Sequence, residues 1–120
     1  MITYLEVYPL LVAACPSYAG SKPAAVAEEG DGEYIRVGQL VRHLIQLLDD
    51  DDTRSFTAVF GVVDWVLTEG DAEARSLINN GFLDDLTNPE MYGDTTRRPG
   101  DFVPWLTPEA KRHPAARRLL

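Results

Sequence analysis

Four consecutive aspartates form the densest group of potential ligand atoms in this sequence: Asp49, Asp50, Asp51 and Asp52. Adjacent carboxylates of this kind could hold a divalent cation, mimic a nucleic-acid backbone or mark a turn between two helices. A calcium loop of the EF-hand type requires a central glycine and a later glutamate, and the segment "DDDDTRSF" contains neither. Aspartate is favoured near helix N-termini, so Asp52 or Thr53 is expected to cap the helix that follows. One cap does not require four aspartates, and we interpret the excess charge as a docking site for a basic partner.

Histidine and cysteine, the other residue types with chemical potential, are few and widely separated. His43 falls on the polar side of an expected helix and is predicted to face solvent, while His113 lies near the C-terminus. Cys15 follows an apolar run and precedes a proline, which indicates a buried, inert thiol. The sequence contains no HExxH element, nucleophile elbow, phosphate-binding glycine loop or dinucleotide fingerprint. We therefore predict that the protein is not an enzyme and has no metal or cofactor, with a small metal-dependent hydrolase as the remaining enzymatic alternative.

The length of 120 residues and a hydrophobic content of 45% indicate a single folded domain over residues 1–120. The longest uninterrupted apolar stretch covers residues 10–15, far short of the roughly 20 residues that span a bilayer. Glu6 is the only charged side chain before Lys22, so the basic region of a signal peptide is missing. We therefore expect a cytoplasmic protein that does not bind a membrane.

The net charge of −8 is distributed unevenly along the chain. Residues 1–96 contain 17 acidic and 5 basic side chains, a net charge of −12, whereas residues 97–120 contain 2 and 6, a net charge of +4. A protein that binds nucleic acid usually presents a basic face, but the body of this one would repel phosphates and attract a basic partner. We therefore expect no direct nucleic-acid binding.

Apolar residues recur at helical spacing in three successive segments. The first is "EYIRVGQLVRHLIQLL", with an expected inward stripe of Tyr34, Val37, Val41, Leu44, Ile45 and Leu48. The second, "TRSFTAVFGVVDWVLTE", is expected to end at Gly70 in the left-handed region. The third, "AEARSLINNGFLDDL", is capped by Asp71 and stopped by the "NP" at residues 88–89. Short connections make such helices antiparallel neighbours, so the predicted fold is all-α, a small bundle of antiparallel helical hairpins for which a HEAT-like arrangement is one form.

The two ends of the chain are less regular. The N-terminal apolar segment is expected to start a helix afresh near Pro9, since proline fits a first helical turn. A short helix is expected between Pro23 and Glu29. Turn-forming residues dominate residues 88–101, which predicts a mobile loop, and residues 107–120 form a basic C-terminal segment.

Trp65 is the most informative single residue. A rotation of about 100° per residue from Phe56 places it opposite the main apolar stripe of its helix. Either this helix is the central one and a neighbour buries Trp65, or the side chain faces solvent, and we expect burial. If it is exposed, a tryptophan beside acidic residues is typical of a binding hot spot. Gly61 and Gly81 inside helices indicate close helix packing.

Three stretches, "GEYIRVGQLVRHLIQLL", "VFGVVDWVLTEGDAEARSLINNGFLDDL" and "PWLTPEAK", resemble a family of small all-helical bacterial proteins of unassigned function. The matching elements are Gly32-Glu33, Phe60 with Asp64, Gly70-Asp71 and Phe82-Leu83-Asp84. Leu106-Thr107-Pro108 departs from the leucine-glycine-proline element that ends the family pattern. Members of this kind are suspected to include immunity proteins of bacterial toxin–antitoxin systems, and the resemblance implies protein binding without assigning any residue.

Two functional hypotheses follow from these observations. The first is an immunity protein that neutralises a cognate basic toxin by occluding its active-site surface. Its expected contacts are Asp49, Asp50, Asp51, Asp52, Trp65, Glu69, Asp71 and Glu73. The alternative is a scaffold or adaptor module that binds another protein or peptide through an apolar groove, for which the surroundings of Trp65 are the candidate. The identity of the partner and the oligomeric state do not follow from the sequence.

Overall fold

The computed structural model describes residues 1–27 and 30–120, and in these ranges the chain is helical throughout its regular structure. The α-helices are α1 (Tyr4–Ala14), α2 (Lys22–Val26), α3 (Glu33–Asp49), α4 (Phe56–Glu69), α5 (Ala72–Ser76), α6 (Asp84–Thr87) and α7 (Pro114–Arg117). A π-helical segment, Leu77–Leu83, joins α5 to α6 without a break. Short 3₁₀ helices cover Pro16–Gly20, Pro89–Tyr92, Pro99–Trp105 and Ala110–Arg112. The predicted all-α fold is confirmed, while the likeness to HEAT hairpins stays a prediction.

The central helix of the molecule is α3. Its buried residues occupy most of its circumference, from Val37 and Leu40 to Leu44 and Leu47. Both α1 and the continuous helix α5–α6 pack against α3 and also against α4. The chain therefore surrounds α3 with neighbours on several sides and leaves α4 at the edge of the bundle. The expectation that α4 could be the central helix is wrong.

The N-terminal helix begins earlier than expected. The Glu6 carboxylate accepts hydrogen bonds from the backbone N–H and the hydroxyl of Thr3, at 3.0 and 2.8 Å. These contacts lower the pKa of Glu6 and stabilise the first turn of α1. Pro9 therefore lies inside a helix that is already formed, and the expected fresh start at Pro9 is wrong.

Aromatic side chains from the C-terminal half complete the core. Phe102 is fully buried and contacts Phe56, Phe60 and Tyr92, with ring centroids 5.5, 6.0 and 6.4 Å away. Residues 88–101 therefore belong to a stretch that is tied to the core at Tyr92 and Phe102. The predicted mobility of this segment stays a prediction, but Tyr92 inside it and Phe102 directly after it are buried.

The continuous helix α5–α6, which corresponds to the third helix expected from the sequence, follows the apolar pattern closely. Ala74, Leu77, Ile78, Phe82 and Leu86 are all buried, as expected. Gly81 permits the close approach to α3, because an added Cβ would lie 3.2 Å from Cδ1 of Tyr34. Tyr34 itself was expected inside but is 42% exposed.

The predicted helix over residues 23–29 is only partly described. It begins at Lys22, capped by the Ser21 hydroxyl, and runs to Val26. Glu28 and Glu29 lie outside the described residues.

Candidate protein-binding surface

The aspartate run forms the turn between α3 and α4, and much of its charge is already paired. Asp51 has a positive φ of 57°, and its carboxylate lies 2.6 Å from an Arg97 guanidinium nitrogen. Asp52 accepts two hydrogen bonds of 2.9 Å from Arg54, which lower the pKa of Asp52. Asp50 is exposed and Asp49 is the half-buried last residue of α3. The two arginines leave this turn with a net charge of −2.

The aspartates do not cap the following helix. The N-cap of α4 is Ser55, with no side-chain cap hydrogen bond, and the Phe56 N–H donates to the backbone carbonyl of Thr53. The expected capping role of Asp52 or Thr53 is therefore wrong. A backbone turn satisfies the first amide of α4, so the side chain of Asp52 is left to bind Arg54.

The second acidic turn, between α4 and α5, is fixed by its backbone. The Ile2 N–H donates to the Glu69 carbonyl (3.0 Å), and the Asp71 N–H donates to the Ile2 carbonyl (2.8 Å). Gly70 lies between these two bonds in an extended conformation, with a φ of −79° and a ψ of 155°. The expected left-handed cap is therefore wrong. Glycine is required instead because an added Cβ would lie 2.5 Å from the Val66 carbonyl oxygen.

The side chains of this second turn have different roles. The predicted cap is confirmed, since the Asp71 carboxylate accepts a 2.8 Å hydrogen bond from the Ala74 N–H. Glu69 and Glu73 are exposed, and neither has an ion-pair partner among residues 1–27 and 30–120. Their charges are free to act on a partner.

Between the two acidic turns runs the outward face of α4. Trp65 is 48% exposed there, so its expected burial is wrong. Ala58, Gly61 and Thr68 are exposed on the same side of the helix, and Val62 beside them is half-buried. The small side chains leave the indole as the most prominent apolar group on this face. Gly61 has no heavy atom within 4 Å of an added Cβ, so close packing does not explain it.

The structure gives the predicted contact residues a common geometry. Helix α4 contains 14 residues, a length of about 21 Å, with the two acidic turns at its ends and Trp65 between them. We call this set the α4 surface: residues 49–52, the exposed side of α4, Glu69, Asp71 and Glu73. The acidic groups were expected at opposite ends of the bundle, and they lie at opposite ends of this one exposed helix.

Leu5 is an exposed residue that the sequence analysis missed. It is 69% exposed on α1, which packs against α4. Because Ile2 is bonded to the turn that follows α4, the start of α1 lies beside the end of α4 and the two helices are antiparallel. Leu5 and Trp65 are therefore each about one helical turn from that shared end. No local sequence signal identifies Leu5, because its exposure depends on which side of α1 is covered.

His43 is buried, with 7% of its surface exposed, so the expected solvent-facing position is wrong. The 3₁₀ helix Pro16–Gly20 covers it: His43 Nε2 lies 2.8 Å from the Ser17 hydroxyl, and the ring packs on Tyr18 at 5.7 Å between centroids. Burial lowers the pKa of His43, an effect that the charge of Asp52 partly opposes. The predicted burial of Cys15 is confirmed.

The basic C-terminal segment is folded onto the acidic body. Ala110 and Ala116 are fully buried, and the His113 ring is 7% exposed. His113 Nδ1 accepts hydrogen bonds from the N–H groups of Ala115 and Ala116, at 3.1 and 3.4 Å. Its Nε2–H therefore donates to the Asp84 carboxylate (2.7 Å) and to the Asn79 carbonyl (3.0 Å). The histidine fixes this segment to the continuous helix α5–α6.

Within residues 1–27 and 30–120, no group of three or more His, Cys, Asp or Glu side chains is arranged to hold a metal ion. In the same part of the chain, no helix is both long and apolar enough to cross a membrane.

A family model matches residues 8–116, nearly the whole chain, and its description is "Domain of unknown function (DUF7674)". The chain belongs to this family. No curated protein and no solved structure matches it. The DUF7674 match begins within α1 and ends within α7, so it includes the whole α4 surface and most of the C-terminal segment that His113 anchors.

Proposed function

We propose that this DUF7674 protein is a non-enzymatic binding protein, and specifically an immunity protein that neutralises a basic toxin by covering its active-site surface. The observation that carries the proposal is the exposed Trp65 on α4, with acidic turns at both ends of the helix. Half-exposed tryptophan is among the residues that most often dominate binding energy at protein interfaces. An isolated monomer gains nothing from keeping this ring in water.

The dimensions of the α4 surface suit a single interface. A standard complex buries roughly 800 Å² on each partner, and a strip about 21 Å long with a turn at each end falls within such a patch. Trp65 would supply the desolvated anchor, and the acidic turns would surround it. The unpaired Glu69 and Glu73 favour a cationic partner surface such as the substrate cleft of a nuclease.

The alternative is a scaffold or adaptor that uses the same tryptophan to bind an apolar peptide, with no toxin involved. The two functions differ in their response to salt. Acidic docking weakens as ionic strength rises from about 0.05 to 0.5 M, because screening shortens the range of surface charges. Docking of an apolar groove or anchor changes little over that range.

The first experiment is co-purification of tagged wild-type protein and the Trp65→Ala variant from the native host. We expect one stoichiometric partner with the wild type and roughly a tenfold or greater loss of affinity with Trp65→Ala. The matched control is Ile35→Ala, which removes another half-exposed apolar side chain, from α3. Equal loss in both variants would contradict a specific role for Trp65.

The second experiment separates an immunity protein from an adaptor. The co-purified partner is expressed alone and then with wild type or Trp65→Ala. We expect growth arrest by the partner, rescue by the wild type and failed rescue by the variant. A partner that does not arrest growth overturns the immunity proposal and leaves the adaptor.

Association kinetics test the acidic turns. Asp49, Asp50, Asp51 and Asp52 are replaced by serine. We expect a large decrease in the association rate constant and a small increase in the dissociation rate constant, because surface charge acts mainly on encounter. Replacing Glu69 and Glu73 by glutamine tests the second turn in the same way. Unchanged association rates at low salt in both variants would remove the electrostatic part of the proposal.

A further inference from the structure

We propose a second site on this protein: an oxyanion-binding cleft for a small phosphorylated molecule, between the continuous helix α5–α6 and the C-terminal segment. The cleft has a volume of about 530 Å³. Ligand pockets in proteins commonly enclose about 300 to 1,000 Å³. It lies away from the exposed side of α4, and its assignment does not depend on the proposed toxin binding.

The cleft brings together three arginines from two distant parts of the chain. Arg75 comes from α5, Arg112 from the 3₁₀ helix Ala110–Arg112 and Arg118 from the end of α7. Among residues 1–27 and 30–120, neither Arg75 nor Arg118 has an ion-pair partner. Guanidinium groups match phosphate oxygens with two parallel hydrogen bonds, so converging unpaired arginines favour a phosphate group.

The two carboxylates in the cleft do not cancel this preference. Asp84 is occupied by the 2.7 Å hydrogen bond from His113, and Glu109 lies 3.6 Å from Arg112 in a pair whose arginine is 79% exposed. Three arginines and two carboxylates leave the lining with a net charge of +1, on a chain whose net charge is −8. A local positive site on a strongly acidic protein indicates a specific anion more than a general attraction to polyanions.

The walls of the cleft are held in place by the His113 contacts. Both nitrogens of the ring are used, one for the start of α7 and one for Asp84 and the Asn79 carbonyl. The Asn79 carbonyl belongs to the π-helical segment Leu77–Leu83, and the wider turn there places Asn79 and Asn80 on the cleft. Side-chain amides add neutral hydrogen-bond donors beside the arginines. Wider helical turns of this kind occur often at binding sites.

The remaining lining indicates what is attached to the phosphate. Leu67 and Pro114 are apolar and lie on the same cleft, and its volume exceeds that of inorganic phosphate several-fold. We therefore assign the arginine and asparagine side to the phosphate and the Leu67 side to the carbon part of the ligand. Glu109 competes with the phosphate for Arg112, so ligand binding displaces it.

The test is a titration of the full chain with inorganic phosphate at constant ionic strength, followed by amide NMR shifts of Asn79, Asn80 and Arg75. We expect saturable shifts at these residues, and Arg75→Gln or Arg118→Gln should weaken binding roughly tenfold, because each removes hydrogen bonds to a charged group. The matched control is Arg54→Gln, which removes an exposed arginine outside the cleft and should leave the shifts unchanged. Glu109→Gln should tighten binding.

Three results would overturn the proposal. One is the absence of saturable shifts in the wild type, and another is equal shifts from chloride at the same ionic strength. The third is undiminished binding in both Arg75→Gln and Arg118→Gln with unchanged thermal unfolding. Because Arg75→Gln, Arg118→Gln and Glu109→Gln all lie outside the α4 surface, none of these outcomes bears on toxin binding.

Discussion

The two acidic turns at the ends of α4 resemble each other in composition and differ in structure. At the α3–α4 turn, Arg54 and Arg97 pair with two of the four aspartates. At the α4–α5 turn, the backbone of Ile2 fixes the loop, Asp71 caps a helix, and Glu69 and Glu73 have no ion-pair partner in the described chain. The longer acidic run is thus the more neutralised one. Charge density in a sequence does not measure the charge that a surface offers to a partner.

The largest effect is expected at the backbone of the α4–α5 turn. Gly70→Ala places a Cβ 2.5 Å from the Val66 carbonyl oxygen and should lower the free energy of unfolding by about 1–3 kcal/mol. Urea denaturation measures this loss. The matched control is Gly61→Ala on the exposed side of α4, where the added methyl group meets nothing and should raise stability by about 0.5–1 kcal/mol. Equal behaviour of the two variants would refute the packing argument.

A smaller effect is expected from the cap in the same turn. Asp71→Ala removes the hydrogen bond to the Ala74 N–H and should cost about 1 kcal/mol of stability. Asp71→Asn keeps an acceptor and should cost less. Asp52→Ala, in the other turn, removes no cap and should destabilise the protein less than Asp71→Ala does. A larger loss from Asp52→Ala would show that the aspartate turn is structurally the more important one.

The ion pair of the aspartate turn should contribute less still. Asp51 is 84% exposed and its φ is positive, a conformation that asparagine tolerates well. Asp51→Asn should therefore change the free energy of unfolding by no more than about 0.5 kcal/mol. Hydrogen exchange around Arg97 provides a finer measurement, with faster exchange expected if Asp51 helps to hold residues 88–101. Identical exchange in both proteins would show that the aromatic core contacts alone hold the segment.

The smallest effect is expected for the pKa of the buried His43, which the charge of Asp52 in the aspartate turn influences. Burial lowers the pKa of His43, and Asp52 partly opposes this shift. Between the lowered folded pKa and the unfolded value of about 6.5, the unfolded chain binds more protons, so this group makes stability fall as the pH drops through that window. His43→Gln should flatten the decline between pH 7 and 5 in urea titrations. Asp52→Asn should lower the pKa of His43 further in an NMR titration, while Glu69→Gln should not.

Much of the fold was predictable because helical periodicity is a local property. The bounds of α3, the end of α4 at Glu69, the buried residues of the continuous helix α5–α6 and the cap at Asp71 all follow from side chains within a few residues of one another. The proposed contact residues of the α4 surface also follow from composition and turn position. Their placement at the two ends of one exposed helix face was not predicted, since that depends on which side of α4 its neighbours cover.

His43 and Trp65 show most clearly what periodicity does not predict. His43 was expected to face solvent and is buried, whereas Trp65 was expected to be buried and is half-exposed. The α3 pattern places His43 opposite the apolar stripe, yet the segment Pro16–Gly20 folds over that side. The α4 pattern makes two sides of the helix apolar. The helices α1 and α5–α6 pack against the side opposite Trp65, so Trp65 keeps nearly half of its surface exposed. Periodicity specifies angles around one helix axis and contains no information about where another helix will lie.

The sequence by itself therefore determined the three main helical segments, most of their inward-facing residues, the all-α class and the acidic character of the body. Only the tertiary structure decided that α3 is central, that α4 exposes its tryptophan, and that Arg75, Arg112 and Arg118 meet in one cleft. The physical reason is the range of the forces involved. Helix formation depends on neighbours three or four residues away, whereas surfaces and clefts arise from the packing of segments that are 30 or more residues apart, such as His113 on Asn79 at a separation of 34.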